Sequence, residues 1–422
     1  MERRATAGVT AVTAVVSGVV TVLTAVVQMV VMTVRGNRNG LSLREVLTQW
    51  DAHWMMMISE HGYSGFVMSS EPSGPVQWES VAFFPGYPVL VRLVAAPMAV
   101  LDVADATFLA AMFTSAVATL FLAWGVSLLA TELWCPPDRR TLVVLTAVVT
   151  VLAVGAPMGV VYWMPYSESL FTALTVWALY FLLRRRHLAA GVLTLFAGLT
   201  RLTAAALVLT LCVAAVVEVW RWWRARQAGR TRQDAALPAF PASAVTAPVL
   251  GALGIGAYLA WANRTVAEIG GYFAAQERGW HSGVDLGAAT LRWLADNLPG
   301  QMTGYTISSW SMILVALLCV ASLWMLWAGW IPWQLWLPAV VLAGIVLGSD
   351  GIMHSRPRLL LIPVLLLCLP LVVRAVRGWR TAGAVGPVHV VAGAAIGVAA
   401  VLWCTLGFWV SAEMLIGFEY AI

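Results

Sequence analysis

The sequence predicts an all-α protein that threads a membrane many times. Three observations lead there. Hydrophobic residues make up 61% of the 422, and charged residues only 11%, where a soluble domain carries roughly a quarter charged. The apolar residues come in continuous runs of about 20, the length a helix needs to cross a hydrocarbon core, without the alternation of β-barrel strands. The strong bases are all arginine and sit in short clusters between the runs, the pattern that membrane topology imposes.

Met1-Glu2-Arg3-Arg4 leads into the apolar stretch 8–34. It is too long for a signal peptide and has no small-x-small cleavage site, so it reads as a retained first helix with a cytoplasmic N-terminus. Further spans are expected at 106–131, 141–163, 168–183, 188–200, 202–219, 243–262, 306–329, 333–348, 357–376 and 385–411. The stretch 83–101 is long enough to cross but contains Pro85, Pro88, Arg92 and Pro97. The arginines decide its status. If it crosses, the clusters Asp138-Arg139-Arg140, Arg184-Arg185-Arg186, Arg221 to Arg232 and Arg374 to Arg380 face the side opposite Arg3 and Arg4. If it lies along the outer surface, all face the cytoplasm, as the positive-inside bias requires. It therefore reads as a juxtamembrane or re-entrant helix. By the same parity 188–219 is a helical hairpin turning near Thr200-Arg201. The expectation is about eleven crossings in one integral-membrane domain, 1–422. It has a first outer loop at 35–105, a cytoplasmic connection at 220–242, an outer loop at 263–305 and an outer C-terminus.

This composition excludes several classes. The net charge of +5 follows topology and implies no nucleic-acid partner. The five cysteines are scattered, with no CxxC pair and no Cys/His metal spacing. No Rossmann-like soluble domain is present to bind a nucleotide sugar. A transporter commonly places its polar residues near the bilayer midplane in two related halves. Here no duplication is visible, and the acids and histidines outside the arginine clusters gather at one face.

That face carries the candidate chemistry. Asp51, between Trp50 and Trp54, is either a general base toward a hydroxyl or the N-cap of a helix over about 51–61. Glu60, His61 and Glu79 share its loop. Glu79 is a second acid, a substrate hydrogen-bond acceptor or a solvated side chain. His53 and His61 stack two turns apart on a helix, which is not metal-ligand spacing. Tyr166 belongs to an interfacial aromatic girdle. Glu168 opens a span, where an unpaired carboxylate is costly, so it caps that helix or pairs with an arginine. Arg201, and Arg356 and Arg358 beside His354, sit at outer turns. They either hold a lipid phosphate through paired hydrogen bonds or snorkel to headgroups. Around Gln276, aromatic, amide and charged residues interleave as in a sugar-binding wall or an interfacial helix.

Taken in order, these pieces resemble the PIG-V family of mannosyltransferases, bacterial members included, of the polytopic GT-C class. The family pattern W-D with I-A-x-x-G-Y is matched by Trp50-Asp51, Ile58, Gly62 and Tyr63, with Ser59 in place of Ala. F-F-P-L-Y-P is matched by Phe83-Phe84-Pro85-Gly86-Tyr87-Pro88, with Gly86 in place of Leu. P-Y-S-E-S is intact at 165–169. Leu199-Thr200-Arg201 approximates A-T-R, Ala275-Gln276 opens A-Q-x-x-W with Trp280 one residue late, and Pro357-Arg358-Leu359-Leu360 matches P-R-(F/L)-L. The resemblance implies a GT-C fold with juxtamembrane helices in the first outer loop, a polyprenyl-phosphate-mannose donor and an outward-facing site in the cell membrane. It puts Asp51 at the catalytic position and Glu168 and Arg201 in the site.

The expected reaction transfers mannose to an acceptor hydroxyl on a lipoglycan, glycolipid or protein. Asp51 takes the proton, and Arg201 with Arg356 or Arg358 holds the leaving phosphate. Glu79, Tyr166, Glu168, Gln276 and His354 complete the substrate-binding set. No organic cofactor is expected. A divalent ion is left open, because Asp51, His53 and Glu79 would hold one only if the fold brings them together. The alternatives are the same fold acting on arabinofuranose or glucose, and a lipid or solute transporter without bond-making chemistry.

Overall fold

The computed structural model describes residues 2–63, 67–69, 77–229, 239–381 and 387–418. Helices occur at every stretch where the sequence places a span. The first, α1 (Glu2–Arg38), is followed by α2 (Leu43–Leu47), which begins with a reciprocal capping box between Ser42 and Glu45. Then come α3 (Asp51–His61), the paired strands β1 (Val67–Ser69) and β2 (Gln77–Glu79), antiparallel with Val67 opposite Glu79, and α4 (Gly86–Val100). The long α5 (Ala106–Leu133) leads to α6 (Arg139–Val154), capped by the Asp138 carboxylate on the Thr141 N–H. Next are α7 (Glu168–Leu183), α8 (His187–Gly198), α9 (Ala205–Gly229), α10 (Ala242–Thr265), α11 (Tyr272–Trp280) and α12 (Ala288–Asn297). The chain finishes with α13 (Gly304–Trp327), α14 (Trp333–Leu347), the single turn α15 (Arg356–Leu359), α16 (Leu361–Thr381) and α17 (Pro387–Ala412).

Among the described residues, seven helices are long and apolar enough to cross a membrane: those in α1, α5, α9, α10, α13, α16 and α17. The apolar helices α4, α7, α8 and α14 are shorter, at 10–17 residues. The chain is a polytopic, all-helical membrane protein.

One expected span is corrected. The stretch 141–163 is not a continuous helix. α6 stops at Val154, Met158 takes a left-handed conformation (φ 65°), and a single tight turn follows at Gly159–Tyr162. Pro157 disfavours helical geometry in the residue before it, which ends the helix there. The segment 156–169 is buried apart from Pro157, at the centre of the bundle.

The position of 83–101 follows from what holds its ends. The N–H of Gly86 donates to the carbonyl of Leu199 at 2.7 Å, in the turn after α8. Beyond the other end, Asp105 pairs with Arg44, which follows α1. Both ends of α4 therefore lie at one end of the bundle. The arginine clusters meet at the opposite end. There Glu132 pairs with Arg184 (3.4 Å), Arg185 and Arg221 with Glu218, and Asp138 with Arg380 (3.0 Å). The departure at Gly86 has a steric cause. A Cβ there would lie 2.6 Å from the Thr200 hydroxyl and 2.9 Å from the Leu199 carbonyl oxygen.

α7 is the central helix and is buried against α5 and α8. α8 and α10 approach backbone to backbone, since a side chain on Gly254 would collide with the Leu195 carbonyl. Small residues at such seams permit close helix packing where lipid supplies no hydrophobic drive. On the periphery α17 exposes Val390, Val391, Val398, Val401 and Leu402, a surface suited to hydrocarbon and not to water.

Candidate active site

The site forms where the start of α3, the turn into α7 with the neighbouring α8–α9 turn, and α15 meet at the end of the bundle away from the arginine clusters. The first is the start of α3. Trp50 takes φ 57°, ψ −117°, and the N-cap position offers no side-chain hydrogen bond. Asp51 is thus the first helical residue and not the cap, which removes the capping alternative for its carboxylate. That carboxylate points to Arg358, with Oδ2 at 2.6 Å from Nη1.

The second segment is the turn into α7. Glu168 caps nothing. Its Oε1 lies 2.8 Å from Nη1 of Arg201 and 3.5 Å from Nη1 of Arg358. Of the two sequence alternatives for Glu168, pairing is the one observed. Arg201, from the α8–α9 turn, also donates to the Ser167 hydroxyl at 3.0 Å. The third segment, α15, supplies Arg356 and Arg358, both buried. Burial removes the snorkelling alternative for these two arginines. Arg356 donates to the Ser349 carbonyl at 2.7 Å, and its Nε and that of Arg358 are buried with no hydrogen-bond partner.

Glu168, Arg201, Arg356 and Arg358 border a cavity of about 150 Å³ with two kinds of lining; Asp51 is not in that lining and joins it through Arg358. Thr172, Thr203 and Ser349 complete its polar lining. Phe171, Leu342, Ile345, Val346, Leu359, Leu361 and Ile362 form the apolar remainder. Ile345 is 40% exposed on the outside of the bundle, so the apolar wall reaches the lipid-facing surface. Around the cluster Arg201 and Arg358 pair with Glu168 and Asp51, while Arg356 lies in the field of Asp350 and Asp285.

Asp51, Glu168, Arg201 and Arg358 are thus brought together, with Arg356 on the same cavity. The other expected residues lie elsewhere. Tyr166 is fully buried and does not line the cavity; its hydroxyl donates to the Gln49 carbonyl at 3.1 Å. Gln276 donates to the Ala82 carbonyl (3.0 Å) and the Tyr272 hydroxyl (2.9 Å), tying α11 to the first outer loop. Glu79 is next to Arg278 in the same layer, and burial lifts its carboxyl above the ordinary range against that arginine's pull. Trp54, three residues after Asp51 on α3, stacks on Phe83 at 5.5 Å, with Trp280 edge-on to both. His354 sits among Trp293, Tyr305 and Phe418. Burial, with Arg358 adding to it, pushes His354 down to about 4.

The open question of a divalent ion on Asp51, His53 and Glu79 has a geometric answer. The three do not converge, and among the described residues no group of three His, Cys, Asp or Glu is placed to hold a metal. His53 instead lines a separate polar cleft with Glu60 and His61. Ser167 was within the motif that drew attention to Glu168 but was not singled out. The Ser349 and Asp350 carbonyls that hold Arg356 are backbone groups and leave no trace in a sequence.

No protein-family model matches the chain, and no curated protein matches it. Among solved structures it is similar to the oligosaccharyltransferase AglB of the archaeon Archaeoglobus fulgidus, in complex with an inhibitory peptide and a dolichol-phosphate. The TM-score is 0.44 and the identity 10%, over 95% of this chain and 55% of that one. The chain thus spans about half the length of that protein, and a likeness at this level assigns neither fold nor activity.

Proposed function

We propose that the protein is a GT-C glycosyltransferase of the PIG-V type. It transfers mannose from polyprenyl-phosphate-mannose to an acceptor hydroxyl at the outer face of the cell membrane. The observation that carries this reading is the two-walled cavity. Its cationic end suits a phosphate, and its apolar wall, open to lipid at Ile345, suits the polyprenyl chain. The unpartnered Nε groups of Arg356 and Arg358 are donors that a phosphate would satisfy.

In the reaction the acceptor O–H loses its proton to Asp51. The acceptor oxygen forms a bond to the anomeric carbon as the bond from that carbon to the phosphate oxygen breaks, with inversion. Arg201, Arg356 and Arg358 take up the charge that develops on the departing phosphate, which lowers the barrier because those groups are already in place. Arg358 has two anionic partners to choose between. Without donor it holds Asp51; a phosphate competes for the same guanidinium and frees the carboxylate to accept a proton. The rings of Trp54, Phe83 and Trp280 screen this space from water, which would otherwise hydrolyse the donor. The acceptor is a lipoglycan, glycolipid or protein hydroxyl. In this reading 35–105 and 263–305 lie on the outer side and 220–242 is the cytoplasmic connection; 64–66, 70–76 and 230–238 lie outside the described residues.

The reading is tested by reconstituting the purified protein with polyprenyl-phosphate-linked mannose, glucose or arabinofuranose and with nucleotide-mannose. Glycosyl transfer from the mannosyl lipid alone is expected. Transfer only from the nucleotide sugar would refute the donor assignment, and substrate flux without any glycosyl product would point to a transporter.

A further inference from the structure

We infer that Tyr166 is a positioning residue whose buried hydroxyl holds the strained turn that aims Asp51, an inference that rests on the proposed role of Asp51. The turn is unusual in its backbone. Trp50, at φ 57° and ψ −117°, occupies a region where a Cβ is penalised and glycine is the ordinary occupant. Such a conformation persists only where the surroundings impose it. α3 supplies part of the constraint, since the Ala52 N–H donates to the Gln49 carbonyl at 3.2 Å across Trp50, but its start has no side-chain cap.

Tyr166 supplies the rest. Its hydroxyl donates to the same Gln49 carbonyl at 3.1 Å. One buried side chain thereby anchors the residue that precedes Trp50. The turn that carries Tyr166 is itself fixed. The Met164 carbonyl accepts from Ser115 at 2.6 Å, and Ser115 is joined to the Tyr87 hydroxyl at 2.7 Å. The ring has a second task. The guanidinium carbon of Arg358 lies 5.1 Å from its centroid, the separation of a cation–π contact. A single side chain thus sets both members of the Asp51–Arg358 pair, the carboxylate through its oxygen and the guanidinium through its face. Phenylalanine at 166 would remove the first function and keep the second.

The experiment compares wild type, Tyr166→Phe, Trp50→Gly and the double variant, each purified and supplied with polyprenyl-phosphate-mannose. Tyr166→Phe is expected to lower kcat about 10- to 100-fold, the scale of a small misplacement of a reacting group. Donor KM should stay within about 2-fold, since the phosphate site is untouched. In the Trp50→Gly background the same hydroxyl deletion should cost less than about 3-fold, because glycine adopts the turn unaided and the two sites are coupled. Full kcat in Tyr166→Phe, or an equal penalty in both backgrounds, overturns the inference. If Tyr166→Phe alone fails to accumulate, recovery of folded protein in the double variant supports the tether, and failure of both overturns it. A structure of Tyr166→Phe gives a readout independent of the reaction. The 2.6 Å contact of Asp51 with Arg358 should open; an unchanged contact with Trp50 still at positive φ overturns the tether whatever sugar is transferred. Absence of transfer by the wild type, with that contact opened in the variant, would reject the proposed reaction and leave the tether standing.

Discussion

Arg358 holds Asp51 at 2.6 Å and reaches Glu168 at 3.5 Å with the same nitrogen. The relationship makes the proposed base and the proposed phosphate ligand partners of each other before any substrate arrives. Lysine at 358 would keep the charge but lose the planar guanidinium whose unpartnered Nε is offered to the phosphate. Arg358→Lys is expected to lower kcat/KM for the lipid donor about 10- to 1,000-fold. Steady-state kinetics with varied donor checks this, and a wild-type value would remove Arg358 from the phosphate site.

Glu168 is the shared counterion of Arg201 and Arg358 and is itself buried. Glu168→Gln leaves Arg201 without its carboxylate and Arg358 with Asp51 alone. Breaking a buried pair in this way costs about 3–5 kcal/mol. Thermal unfolding in detergent should show a clear drop in midpoint, partly reversed by saturating polyprenyl phosphate, which would supply the missing negative charge.

Gly86 lies against the Leu199–Thr200 turn with no room for a side chain. Placing a leucine there, Gly86→Leu, should therefore harm this protein, by about 1–3 kcal/mol for overpacking. Because that turn leads directly into Arg201, transfer activity should fall as well. Equal stability and activity in the variant would show that α4 is free to move away from the turn.

His354 is held down to about 4 by burial and by Arg358, against an ordinary value of 6.5. Between those values the unfolded chain binds a proton that the folded chain refuses, so folding stability rises with pH. The contribution is complete above about 6.5 and is lost as pH falls toward 4. The unfolding midpoint should decline on acidification through this window, and His354→Gln should flatten the decline even if it lowers the midpoint at neutral pH. An unchanged slope in that variant would exclude His354 as the source.

The helices were legible because a chain this apolar has one economical way to satisfy its backbone in lipid, and the runs set their positions. Asp51, Glu168, Arg201 and Arg358 were legible because a charge at membrane depth needs a reason. Their pairing was not. Nothing in the spacing says that Arg358 chooses Asp51 as well as Glu168, because the choice depends on how α15 docks on the α3 and α7 turns. Tyr166 was noticed for its motif, but its burial and its hydrogen bond to Gln49 cannot be read from an interfacial aromatic. The strain at Trp50 has no sequence signal at all, because tryptophan is not a residue that favours positive φ. The break near Val154 was visible in Gly155 and Pro157 but was outweighed by the apolar character of the whole run.

The central claim is that Asp51 accepts the acceptor's proton beside a phosphate held by arginine. The measurement that tests it most directly is a single-turnover assay with polyprenyl-phosphate-mannose on wild type and Asp51→Asn at matched protein level. The account expects donor binding to persist in the variant while the rate of glycosyl transfer falls by at least about 10²-fold, the scale of a lost general base. Transfer at the wild-type rate in Asp51→Asn would contradict it.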